Sequence, residues 1–148
     1  MKGDPVLIKV EFNDVLYAII IKDSFKAKGI QFFTPSEYSQ QLAYMRHPKG
    51  KTITPHIHNP VPRKVLYTQE TLFIKKGMLR VDFYNTDKIY FESRILQDGD
   101  VLFLITGGHG FEILEEVEMI EVKQGPYAGD LDKSHLEGVK HNQFNVER

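Results

Sequence analysis

Short runs rich in β-branched and aromatic residues alternate with Gly, Pro, Asn and Asp turn signals along almost the whole chain. Residues 6–12 and 15–22 flank Asn13-Asp14, which reads as a two-residue hairpin turn. Residues 30–33, 53–58, 65–74, 78–84, 90–96, 101–105, 111–114 and 117–124 continue the series. Thr34-Pro35-Ser36-Glu37 carries a helix-start signal worth a single turn through Tyr38 and Gln41. Lys76-Gly77 and Asn85-Thr86-Asp87 mark further turns. Long amphipathic helices are absent from the pattern, which argues against α/β folds. The expectation is an all-β sandwich or closed barrel with at most short helices.

The chain has 148 residues, a length that suits one domain spanning 1–148. Its expected parts are N-terminal strands over 6–33, a barrel core over about 40–125 and a polar C-terminal arm over 126–148. Net charge is −1, so no basic field invites nucleic acid and no cationic face invites a membrane. The sequence lacks a long apolar run and a signal-peptide core, so a cytoplasmic location is the expectation. Cysteine is absent, which removes disulfides, thiolate ligands and cysteine nucleophiles together.

Chemistry concentrates between Gly50 and Gly77, in GKTITPHIHNPVPRKVLYTQETLFIKKG. On a strand, His56 and His58 share a face, with Ile57 on the other. Pro55 and the β-branched Thr52, Ile53 and Thr54 argue against a helix there. Imidazole nitrogens joined by a carboxylate suit a transition metal. Glu70 lies in an apolar run, where an unpaired charge is costly. Either a metal ion or a salt bridge to Lys64, Lys75 or Arg80 would compensate it. A second glycine-rich patch, ITGGHGFEIL, carries His109. The remaining histidines, His47, His135 and His141, read as ordinary polar residues.

Gly50, His56, His58, Glu70 and Gly77 in this order resemble the first motif of the cupin superfamily. Gly99-Asp100-Val101-Leu102-Phe103-Leu104, followed by Ile105-Thr106-Gly107-Gly108-His109, is similar to the second. Residues 59–69 are then an insertion in the connecting hairpin, which loops tolerate cheaply. The resemblance implies a double-stranded β-helix, or jelly-roll barrel. It also implies one divalent transition metal (Fe, Mn, Ni, Co or Zn) held by His56, His58, Glu70 and His109. Homodimers are common in the family, and the apolar N-terminal strands over 6–22 offer an edge to a partner.

Met119, Glu121 and Lys123 alternate with Ile120, Val122 and Gln124. If the first set faces inward, Lys123 can bind an anionic group and Glu121 can move a proton. The equal alternative is a solvated outer face. Tyr127 and Asp130 are candidates for a pocket rim, and Arg80 and Tyr84 for the outer face. The expected function is a metal-dependent enzyme, such as a dioxygenase, isomerase or decarboxylase, acting on a small carbonyl, carboxylate or sugar substrate. The alternatives are a non-catalytic small-molecule-binding cupin and a metal-independent sugar-nucleotide isomerase or epimerase.

Overall fold

The structure, a computed structural model, describes residues 5–139 and 143–147. His141 lies outside the described residues. The chain divides into two compact units, Met1–Phe25 with Tyr67–Arg148, and Lys26–Leu66. No described helix is long and apolar enough to cross a membrane.

The larger unit is one strongly curled antiparallel sheet that forms a half-barrel. It opens with β1 (Leu7–Phe12) and β2 (Val15–Ile21). Asn13 and Asp14 adopt φ of 49° and 61°, as expected of a tight turn that follows the strand twist. β2 pairs with β1 on one side and with β7 (Val101–Leu104) on the other. Both edges of β2 are therefore occupied within one chain, and β1 is the end strand of the sheet. Ala18, Ile19 and Ile20 are fully buried, so β2 is the floor of the core.

The central strand is β5 (Glu70–Tyr84), fifteen residues without a break. The turn expected at Lys76-Gly77 is instead a point where the strand bends. Ladder registers shift between Ile74 and Lys76 and again around Met78, and Gly77 has φ of 96°. A Cβ at Gly77 would meet the Glu116 carbonyl oxygen at 2.0 Å, so only glycine lets the neighbouring strand approach there. On one edge β5 pairs with β7 through Glu70–Phe73 and with β6 (Tyr90–Gln97) through Met78–Tyr84. Its other edge pairs along nearly its whole length with β8 (Gly108–Lys123). β8 fuses the two runs expected at 111–114 and 117–124. Among the described residues, β5 is the one strand that β8 pairs with. A 3₁₀ turn at Gly129–Leu131 follows, and β9 (Val146–Glu147) adds in parallel to β6.

Leu72, Ile74, Leu79, Val81, Phe83, Leu96, Leu102 and Phe103 fill the core. Asp100 is a buried corner. Its carboxylate accepts from the backbone N–H of Asp23 (3.0 Å) and of Gln97 (2.9 Å) and pairs with the Lys22 ammonium. Phe111 and Ile113 were expected to point into a closed interior. They are 37% and 50% exposed, because the half-barrel is open along β8.

The smaller unit holds one hairpin, β3 (Gly29–Phe32) with β4 (Ala43–Arg46). The helical turn expected after Thr34 does not form. The Gln41 side chain instead donates to the carbonyls of Pro35 and Tyr38, both at 2.9 Å, and holds a non-helical loop. Residues 51–66 adopt neither strand nor helix. This corrects the strand expected at 53–58. Pro55, Pro60 and Pro62 remove three backbone donors, and no neighbouring strand supplies a ladder. No residue of Lys26–Leu66 is buried.

Candidate functional site

The curl of the β5–β8 ladder brings its two ends together. Glu70, Leu72 and Ile74 stand opposite Lys123, Glu121 and Met119 in the register, so these six residues share one face. His109, near the other end of β8, reaches the same point. Its Nε2 lies 3.4 Å from Glu70 Oε2. The Lys123 ammonium lies 3.2 Å from Glu70 Oε1 and 3.2 Å from Glu121 Oε1. Four of the six residues singled out from the sequence thus meet. Met119, Glu121 and Lys123 are on the face of Glu70, and all three are exposed.

They line a cavity of about 690 Å³, a volume that admits a small molecule. Side-chain exposure is 14% for Glu70 against 30% for His109 and 35% for Lys123, so the carboxylate is the enclosed member. The hydrogen bond from His109 holds the Glu70 carboxyl below its usual range. Burial opposes this, and the Lys123 ammonium adds to it. Lys123 is raised above its ordinary value by its bonds to Glu121 and Glu70. At neutral pH the pair is therefore an ammonium beside a carboxylate.

Two local features shape the mouth. Gly107, with φ of 76°, lets the chain pass tight against Tyr84 and Tyr17 just before His109. The segment after the 3₁₀ turn docks along the opening. The Thr68 hydroxyl bonds to Asp132, and the Val139 N–H donates to the Tyr84 hydroxyl at 3.3 Å. A Cβ on Gly108 would meet Leu136 at 2.5 Å. The described part of the C-terminal arm is therefore docked on the sheet of the larger unit. Tyr84, expected on the outer face, is buried and lines the cavity, as does His135. Sequence spacing missed both: Tyr84 is bonded by the C-terminal segment through Val139, a distant contact that strand alternation does not encode, and His135 lies in a polar stretch without periodicity. Tyr127 is almost fully exposed, and neither it nor Asp130 lines the cavity. Arg80 is held instead by Asp82 (2.7 Å) and Glu112 (2.6 Å) and lies over the Phe144 ring.

His56 and His58 belong to the smaller unit and are exposed. Their rings lie 5.1 Å apart and nearly perpendicular. His56 Nδ1–H donates to the Thr54 carbonyl at 3.0 Å, which leaves Nε2 free. Among the described residues, no group of three or more His, Asp or Glu side chains gathers to hold a metal ion. In the larger unit a transition metal would find one carboxylate and one imidazole, with an ammonium already at the carboxylate. These residues do not by themselves fit a metal centre.

No protein-family model, no curated protein and no solved structure matches this chain.

Proposed function

We propose that the cavity between β5 and β8 binds a small oxygen-rich molecule, a carboxylate or carbonyl compound, and moves a proton on it. The observation that carries this reading is the Glu70 carboxylate held between His109 and Lys123 inside a small-molecule-sized cavity. Glu70, kept ionised, is a poor proton acceptor near neutral pH. It serves better to orient the imidazole of His109, the role a carboxylate takes beside a catalytic histidine. With Nε2–H directed to Glu70, Nδ1 of His109 is the nitrogen that takes a proton from substrate and returns it. Lys123 supplies the positive charge for a substrate carboxylate or for the oxyanion that develops on proton removal. Glu121 keeps the Lys123 ammonium in place. This is isomerase, epimerase or decarboxylase chemistry in class, within the cupin-type reading of the sequence.

Binding is tested by following amide resonances of the protein during titration with alpha-keto acids, alpha-hydroxy acids and aldoses. At least one compound is expected to shift His109, Glu121 and Lys123 together. Lys123→Ala is expected to weaken that compound at least about tenfold, the loss of one charge-assisted contact. Shifts confined to surface residues outside the cavity, or undiminished binding by Lys123→Ala, would remove the proposal.

A further inference from the structure

Residues 85–89 connect β5 to β6, and the Asn85 side chain holds the turn. Its Oδ1 accepts from the backbone N–H of Asp87 at 3.0 Å and of Ile89 at 2.9 Å. Two N–H donors at one end of the amide fix that end as the oxygen, so the other end is Nδ2, a donor. Asn85 is 8% exposed, yet among the described residues nothing accepts from Nδ2. A buried donor without an acceptor is costly, and folded proteins keep few of them.

An acceptor has room to reach it. Asn85 lines a second cavity, of about 270 Å³, beside the first. Gly107, Gly108, Ser134 and Leu136 line both cavities. The polar side chains around the second are those of Asn85, Thr86, Lys88 and Ser134: an amide, two hydroxyls and an ammonium, with no carboxylate. Among the described residues Lys88 is in no ion pair, and neither is Lys133, which precedes Ser134 and lines the first cavity. Charge is therefore divided between the two. In the first cavity the Lys123 ammonium already faces two carboxylates. At the second, the positive charge is uncompensated.

We infer that the second cavity is a phosphate subsite. It takes the phosphoryl group of a small phosphorylated carbonyl or hydroxy compound whose reacting carbon lies at His109. This rests on the proton-transfer reading of the first cavity and names its substrate class. A phosphoryl group presents three strong acceptor oxygens and a charge between −1 and −2 near neutral pH. Asn85 Nδ2, the Lys88 ammonium and the Ser134 or Thr86 hydroxyl are donors for those oxygens. Gly107 and Gly108 lie on the way from one cavity to the other, directly before His109, so backbone without side chains borders the path. With the phosphoryl group bound here, Lys123 is left for the oxyanion that develops at the reacting carbon.

Inorganic phosphate is the first probe, titrated in a buffer without other polyvalent anions. It is expected to shift the amide resonances of Thr86, Lys88 and Ser134 to saturation. Asn85→Asp keeps an oxygen for the two turn N–H groups and replaces the free donor with an oxygen that repels an anion. It is expected to weaken phosphate at least about tenfold, the loss of one charge-assisted contact. Lys88→Gln, at an exposed position, is expected to do the same and decides the matter should Asn85→Asp fail to fold. Aldoses and hydroxy acids are then compared with their own phosphate esters. The ester is expected to bind at least about tenfold tighter and to shift His109 and Ser134 together. Phosphate binding undiminished in both variants, an adventitious ion only, would overturn the subsite. So would an ester that binds no better than its parent compound; if that parent still shifts His109 and Lys123, the proposed function stands without the subsite. Phosphate held at Asn85 and Lys88 with no compound reaching His109 would remove the proposed function and the substrate class with it, leaving an anion site alone.

Discussion

Glu70 faces Lys123 across the β5–β8 ladder and lies within reach of His109, and its ionisation follows from those neighbours. Its folded-state pKa lies below the ordinary value of 4.5, first because of the His109 hydrogen bond. The unfolded chain therefore takes up the proton at higher pH than the folded one. The stability Glu70 contributes is fully present above its unfolded pKa and is lost as pH falls through the lowered folded value. Glu70→Gln is expected to be less stable than the parent near neutral pH, with the gap narrowing as pH drops below 4.5. Urea unfolding across that range checks it. A gap of constant size would mean that the carboxylate is not held by these partners.

At the scale of elements, the corner between β6 and β7 is fixed by a single carboxylate. Asp100 is 1% exposed and holds Lys22 and two backbone N–H groups. Asp100→Ala would leave all three donors without their acceptor, and a cost of about 3–5 kcal/mol is expected by denaturant unfolding. The strand pattern was legible for the elements whose apolar runs are bounded by turns: β1, β2, β6 and β7 lie within a residue or so of their expected limits. The misreadings share one cause, since Gly77 reads as a turn but acts as a bulge inside β5. A positive φ permits both outcomes, and only the close approach of Glu116 decides between them. β8 was split in two for a similar reason, because Glu115-Glu116 looks like a connection when its partner strand is unknown. At 53–58 the β-branched content favoured a strand, but a strand also needs an edge to bond to.

For the whole molecule, the sequence reading located four residues that do meet and two that lie in another unit. Glu70, Glu121 and Lys123 were legible because strand alternation fixes their common face once the β5–β8 register is given. The approach of His109 depends on curl, which no local pattern encodes. His56 and His58 lie with their rings 5.1 Å apart, but not on the strand that was expected to align them. Closed-barrel exposure was wrong for Phe111 and Ile113 because one chain makes only a half-barrel.

The central claim is that His109, oriented by Glu70, exchanges a proton with a small molecule in this cavity. It is tested most directly by incubating the protein in deuterium oxide with the compounds that shift its cavity resonances and following their carbon-bound hydrogens by proton NMR. Deuterium is expected to enter next to a carbonyl or carboxylate carbon with the parent protein. His109→Gln should slow this at least about a hundredfold, the usual scale of a positioned acid–base group, while Lys123-dependent binding is retained. Bound compounds that never exchange, or exchange undiminished in His109→Gln, would contradict the account and leave a binding protein without acid–base chemistry at His109.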